Sequence, residues 1–133
     1  MGALRAEYRC AVAVIRSASA ADVDAIFDLL TARSRAAFGV SQVDRSHVLN
    51  ELAAPTSDAW LALDEDEPVG FARVGPTQVL AVAAGEPAVN DALLAAAEDG
   101  ARRRGYDHLL VYAVSEDAPL WSLVERSGFT IFR

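Results

Sequence analysis

The order of its strand-like and helix-like segments predicts that this chain folds as an α+β domain. Three observations support the prediction: short apolar runs of strand length, apolar stripes at helical spacing, and an acidic turn between two strand-like runs, which indicates a hairpin. Taken along the chain, these segments give the order β-α-α-β-β-β-α-β-α-β. The 133 residues are enough for a single domain, which we expect to span residues 1–133.

The first part of the chain predicts one strand and two helices. The alternating run at 11–16, AVAVIR, contains β-branched residues and predicts the first strand. Ser19 is the expected N-cap of the first helix, because an acidic residue follows three positions later and an apolar stripe begins there. A second helix is expected from about 44 to 53, and Pro55 would stop it.

The middle of the chain predicts a hairpin and a further strand. Residues 59–63 and 69–74 have the composition of two antiparallel strands, and the acidic sequence DEDEP at 64–68 is the expected turn between them. Another strand is expected at 78–83, after a Gly-Pro turn.

The C-terminal part predicts two helices and two strands. Pro87 suits the first turn of a helix that continues to about Arg104, where a glycine follows. Residues 108–114 predict a buried strand, residues 117–127 a helix, and residues 129–132 the start of a last strand.

Composition argues against several functional classes. The formal charge of −7 argues against a basic nucleic-acid-binding face. Cys10 is the only cysteine, which excludes an internal disulfide framework and a cysteine-rich zinc site and fits a cytoplasmic location. His47 and His108 lie far apart, and neither has a second ligand at helical spacing, so no metal site is expected. No run approaches the roughly 18 apolar residues that a membrane span needs.

Three stretches, in this order, resemble the GNAT acyltransferase superfamily. IRSASAADVDAIFDLL is similar to its first strand and helix, and LALDEDEPVGFARV is similar to its hairpin. LLAAAEDGARRRGYDHLLVYAV followed by LVERSGF resembles its cofactor helix, the next strand and the leucine-to-Gly-Phe ending. The likeness runs from about Val12 to Phe132. It implies a layered α/β/α architecture with a mixed, mainly antiparallel sheet.

The resemblance implies acyl transfer from an acyl-CoA, such as acetyl-CoA, to an amine. The cofactor would bind between the strands at 78–83 and 108–114, which splay apart in the family, with its pyrophosphate at the N-terminus of the helix that starts at Pro87. The acyl carbonyl would lie at the end of the strand at 78–83. The residues expected to line this site are Leu80, Ala81, Val82, Gly85, Ala88, Val89 and Asn90.

The chemistry would be direct attack by the amine after it loses a proton to a base or to water. The acid/base candidates by position are Tyr112, Glu116 and Asp117. The alternative roles are a core or rim aromatic for Tyr112 and a helix cap for Asp117. Arg33 and Arg35 fall between the first two helices, the region that shapes the acceptor site in the family.

The chain departs from the family pattern in three places. Where the family has a basic residue and glycines, R-G-x-G-x-G/A, this chain has GEPAVN; Glu86 would repel a pyrophosphate, and Pro87 removes an amide donor. Val124 stands where the family commonly has a tyrosine that protonates the leaving thiolate. The chain ends at Arg133, about one strand short of the family pattern, which predicts an open sheet edge.

These departures leave several functions open. The first is a GNAT-like N-acyltransferase with a divergent cofactor loop, whose amine substrate would be a small molecule or a protein. The alternative is a catalytically inactive GNAT-like domain that acts as the structural or regulatory half of a tandem or dimeric assembly. A third possible function is the binding of a different pantetheine or small-molecule ligand in the same cleft. The expected partner is a second copy or a second GNAT-like domain; neither nucleic acid nor a membrane is expected.

Overall fold

The computed structural model describes residues 8–9 and 13–130. Within those residues, one sheet contains six strands in their sequence order. The strands are β1 (Tyr8–Arg9), β2 (Val14–Ser17), β3 (Asp58–Asp64), β4 (Glu67–Val74), β5 (Val79–Ala84) and β6 (Leu110–Val111). The helices are α1 (Val23–Phe38), α2 (Arg45–Ala53), α3 (Pro87–Arg103) and α4 (Ala118–Arg126).

The sheet is mixed and mainly antiparallel. Strands β1 to β5 each run antiparallel to the next, and β6 alone among the described strands pairs in parallel, with β5. This confirms the predicted fold class. The structure adds one strand to the predicted order, because β1 precedes the predicted first strand, which is observed as β2. Of the residues predicted for that strand, 11 and 12 lie outside the described part of the chain.

Two apolar clusters cover the two faces of the sheet and confirm the layered α/β/α arrangement. On β3, Trp60 packs in the cluster that contains α3, whereas the neighbouring residue Leu61 packs in the cluster that contains α1 and α2. Successive side chains of a strand point to opposite faces, so one strand contributes to both clusters.

The helix boundaries follow local capping chemistry. A 3₁₀ turn at Ala20–Asp22 precedes α1, so Ser19 caps this turn rather than α1 itself. The Ser19 amide donates to the carboxylate of Asp22 at 3.0 Å. Helix α1 ends at Gly39, whose φ of +77° is a left-handed conformation that suits glycine. Asp44 caps α2 and accepts a hydrogen bond from the Ser46 amide at 2.8 Å.

The prediction of a buried strand at 108–114 is largely wrong. Strand structure is limited to β6, and Leu110, Tyr112 and Val114 are 40%, 80% and 48% exposed. Among the described strands β6 is the last of the sheet, so only its β5 side is paired. The apolar composition indicated burial, but side chains alternate between the two faces of a strand, and only the face with Leu109, Val111 and Ala113 is partly buried. Of the predicted last strand, Phe129 and Thr130 are not in a strand, and residues 131–132 lie outside the described part.

Candidate functional site

Strands β5 and β6 separate after a short parallel pairing. Val79 pairs with Leu110 and Leu80 with Val111, and within the described residues no further pair follows, although β5 continues to Ala84. Beyond Leu80, the edge of β5 that faces away from β4 is therefore not paired with another described strand. We call this opening the β5–β6 cleft; it lies between residues 81–85 on one side and 112–117 on the other.

The β5 residues expected in the cofactor site differ in exposure. Leu80 and Val82 are 2% and 6% exposed and pack in the cluster that contains α3, whereas Ala81 is exposed. Val82 can therefore offer a ligand only its backbone amide and carbonyl, whereas Leu80 pairs with both Val74 and Val111 and lies outside the cleft, contrary to the prediction. This side of the cleft presents peptide groups and one methyl group.

The N-terminus of α3 follows directly from β5. Its N-cap is Glu86, whose side chain makes no capping hydrogen bond to the described residues. Pro87 has no amide hydrogen, so the amides of Ala88 and Val89 supply the N–H groups of the first turn. Val89 is 1% exposed and can contribute only its backbone, whereas Gly85 and Ala88 are exposed and small. The positive end of the helix dipole thus lies at the end of β5.

Asn90 ties the first turn of α3 to the end of β5. Its side chain is 1% exposed, and Nδ2 donates to the carbonyl oxygen of Ala84 at 3.1 Å. Its Oδ1 is buried and has no hydrogen-bond partner among the described residues. A buried amide oxygen without a partner is costly, so this side chain is either a source of strain or ready to accept a hydrogen bond.

The three acid/base candidates follow β6. Tyr112 is mostly exposed, and Glu116, also exposed, accepts a hydrogen bond from the Ser115 hydroxyl at 3.1 Å. Asp117 occupies the N-cap of α4, but its side chain makes no capping hydrogen bond within the described part. Asp117 Oδ1 instead lies 4.0 Å from Nη2 of Arg33. Asp117 therefore occupies the N-cap position of α4 without making a capping hydrogen bond.

Arg33 reaches both sides of the cleft from α1. Its Nη1 lies 3.5 Å from the position that a Cβ on Gly85 would take, and its Nη2 makes the ion pair with Asp117. The sequence placed Arg33 only in the region between the first two helices. The sequence did contain a signal that Arg33 lies on the sheet-facing side of α1. It shares one helix face with Ile26 and Leu30, at i, i+4, i+7 spacing, and Ile26 is fully buried.

A cavity of about 730 Å³ lies between the β6 segment and α4. None of its lining residues belongs to β5, but Tyr112 and Ala113, at the start of the 112–117 side of the β5–β6 cleft, also line this cavity. Val124 is among them and is 6% exposed. The described side of the cavity is formed by His108, Leu109, Leu110, Val111, Tyr112, Ala113, Trp121, Val124, Gly128, Phe129 and Thr130.

Two other kinds of site are not found in the part of the chain that the structure describes. No group of three or more histidine, cysteine or acidic side chains is arranged to hold a metal ion there. None of the described helices has the length and apolar character that a bilayer crossing requires.

Similarity to known proteins is evident at the level of structure. No protein-family model and no curated protein matches the sequence. The GNAT domain of PAT from S. lividans matches with a TM-score of 0.76 and 14% identity, over 96% of this chain and 89% of that chain. A probable acetyltransferase matches with a TM-score of 0.72 and 21% identity, over 90% and 91% of the two chains.

A third similar structure is described as a predicted acetyltransferase with acetyl-CoA from Clostridium acetobutylicum. It matches with a TM-score of 0.71 and 15% identity, over 89% of this chain and 90% of that chain. All three matches extend over most of both chains, so they concern the whole domain rather than a local motif. The chain therefore has the fold of the GNAT acetyltransferases, as its sequence resemblance implies.

Proposed function

We propose that this domain transfers an acetyl or other acyl group from CoA to an amine, with a divergent cofactor loop. The observation that carries the proposal is the separation of β5 from β6 directly beside the N-terminus of α3. The similarity to acetyltransferases supports it, as does the neighbour described with acetyl-CoA. A cytoplasmic location for this activity would fit the single cysteine, Cys10.

The described residues fit the extended and anionic parts of an acyl-CoA. The unpaired edge of β5 offers backbone groups that can pair with the amides of a pantetheine arm, as a sheet edge pairs with an extended peptide. The first-turn amides of α3 and its dipole favour a pyrophosphate. The small residues Gly85 and Ala88 leave room for it, whereas Glu86 opposes it.

When bound, acyl-CoA supplies an activated thioester carbonyl. The chain's own contribution would be proton transfer and orientation. Glu116 and Asp117 provide carboxylates that can accept the proton of the attacking amine, directly or through water, and Tyr112 provides a hydroxyl that can protonate the departing thiolate. All three follow β6 in the chain, and Asp117 lies near Arg33, whose guanidinium also approaches Gly85. Val124 cannot perform the tyrosine's role, so an acid from this segment would have to replace it.

Calorimetric titration with acetyl-CoA, followed by an acyl-transfer assay against a panel of amines, tests the proposal. We expect saturable binding and amine-dependent release of free thiol. The double variant Glu116→Gln with Asp117→Asn should bind acetyl-CoA and lose most of the transfer rate. If the unaltered protein shows neither heat nor a thermal shift at millimolar acetyl-CoA, the proposal is wrong.

A second candidate function is a catalytically inactive domain that associates with a second copy of itself. The specific observation in its favour is the row of exposed apolar side chains at Leu110, Tyr112 and Val114, on and just after β6. Such a row beside a strand edge that no other described strand pairs suits association with another chain. Sedimentation distinguishes the two candidates, since a monomer that transfers acetyl groups would contradict this one.

A further inference from the structure

We propose that Arg33 is the cation that receives the pyrophosphate of the acyl-CoA, a role that no residue of the β5–α3 loop can fill. This inference rests on the proposed function, because it assigns a ligand group to the same cleft. It moves Arg33 from the acceptor region, where the sequence placed it, to the phosphate end of the cofactor site.

The position of the guanidinium is the first argument. Nη1 lies 3.5 Å from the Cβ position of Gly85, and Gly85 stands between the last residue of β5 and the N-cap of α3. A planar guanidinium beside helical N–H groups matches a phosphate, because it offers several donors in a fixed plane. Arg33 and the first turn of α3 thus present their positive ends at the same loop.

The chemistry of the loop is the second argument. Between β5 and α3 the chain has Gly85 and Glu86, so the loop contains no positive side chain and one negative one. A polyanion near Glu86 alone would meet repulsion from a like charge. Arg33 supplies the compensating charge from a different element, which explains how the cleft can accept a phosphate although its loop lacks the family's arginine.

The state of the neighbouring polar groups is the third argument. The side chain of Arg33 is 25% exposed, and its contact with Asp117 is at 4.0 Å, which is long for a hydrogen-bonded ion pair. Its N–H groups are therefore not fully used by Asp117. Phosphate oxygens would accept hydrogen bonds from the N–H groups of Arg33 that Asp117 leaves unused.

The test is calorimetric binding of three probes: CoA, pantetheine and inorganic pyrophosphate. We expect Arg33→Gln to weaken CoA and pyrophosphate binding by about tenfold or more, since a charge-assisted contact is lost, and to leave pantetheine binding unchanged. Arg35→Gln is the matched control, because it removes an exposed arginine from the same helix and should change CoA affinity by less than about twofold. Asp117→Asn should strengthen CoA binding, since it frees Arg33.

The outcomes separate the inference from the function. If the unaltered protein acetylates an amine and Arg33→Gln keeps the same CoA affinity, the inference is wrong and the function stands. Equal losses for CoA and pantetheine also overturn it, because a phosphate contact cannot affect pantetheine. Arg33-dependent pyrophosphate binding without acyl transfer supports the inference and overturns the function. Absence of CoA and pyrophosphate binding overturns both. An unchanged unfolding midpoint for Arg33→Gln shows that the variant is folded.

Discussion

Val89 of α3 packs directly against the backbone of Gly70 in β4. Val89 Cγ1 lies 2.8 Å, and Leu93 Cδ1 2.9 Å, from the position that a Cβ on Gly70 would take. Only a residue without a side chain lets the first turns of α3 approach the sheet this closely. Because the proposed phosphate end of the cleft is the first turn of α3, this packing also positions the candidate site.

Gly70→Ala should therefore destabilise the protein. A methyl group at this position would overlap Val89 and Leu93, which are buried and can move little, and such overpacking costs about 1–3 kcal/mol. Urea unfolding measures the change. Gly85→Ala is the control, since its nearest neighbour is the guanidinium of Arg33 at an ordinary contact distance, and it should change stability by less than about 0.5 kcal/mol. Equal stability for both variants would contradict the close approach.

Asn90→Ala should also destabilise the protein. The substitution removes the hydrogen bond to the Ala84 carbonyl, and an unpaired buried carbonyl costs about 1–3 kcal/mol. The same urea experiment measures it. If Asn90→Ala instead stabilised the fold, the unpartnered Oδ1 would have to cost more than the hydrogen bond contributes, and the tie between β5 and α3 would be unimportant.

Glu86→Gln should strengthen CoA binding. Removing one negative charge at the N-terminus of α3 lowers the repulsion of the pyrophosphate, and at an exposed position we expect a gain of about threefold to tenfold at low salt. Calorimetry in low and high salt measures it. Glu98→Gln, which neutralises an exposed glutamate much farther along α3, should have little effect. A gain that is the same for both variants would show that only the net charge matters.

The Arg16–Asp22 pair predicts a pH dependence of stability. The hydrogen bonds from the Arg16 guanidinium, at 2.8 Å and 3.1 Å, lower the pKa of Asp22. A carboxyl group whose pKa is lower in the folded state stabilises the fold above its unfolded pKa, and this stabilisation disappears as the pH falls through the folded pKa. Because acid protonates Asp22, stability should fall below about pH 4.

Asp22→Asn tests this dependence. The variant should be less stable than the unaltered protein by about 1 kcal/mol at neutral pH, and the difference should narrow as the pH falls below about 4. Thermal unfolding across this pH range measures both quantities. Asp28→Asn, at an exposed position of α1, is the control and should follow the unaltered protein. A difference that stays constant with pH would show that the ionisation of Asp22 does not contribute.

Tyr112→Lys tests association through the β6 edge. If two copies pair there, a lysine on each copy would bring like charges together, and the sedimentation coefficient should fall to that of a monomer. Tyr112 is 80% exposed, so the substitution should leave the unfolding midpoint unchanged. A Tyr112→Lys protein that sediments like the unaltered dimer would contradict association at this edge. Association at this edge would also be contradicted if the unaltered protein were a monomer.

The elements with strong local signals were predicted closely. Helix α2 was predicted from 44 to 53 and is observed at Arg45–Ala53, because Asp44 caps it and Pro55 follows. The acidic turn of the hairpin is also observed, but it is shorter than the predicted 64–68: only Glu65 and Asp66 separate β3 from β4. In both places the signal is a residue whose own backbone or side chain sets the local conformation.

The sequence by itself determined the α+β class and the order of the elements from β2 to α4, because periodicity, caps and turns depend on neighbouring residues. Only the tertiary structure decided which residues share the cleft. Arg33 and Gly85 belong to different elements, and their proximity depends on how α1 lies against the sheet. The tertiary structure also determined which residues are buried. Residues 108–114 have the composition of a core strand, yet β6 is an edge among the described strands and Tyr112 is exposed. Exposure depends on neighbours in space, which composition does not specify.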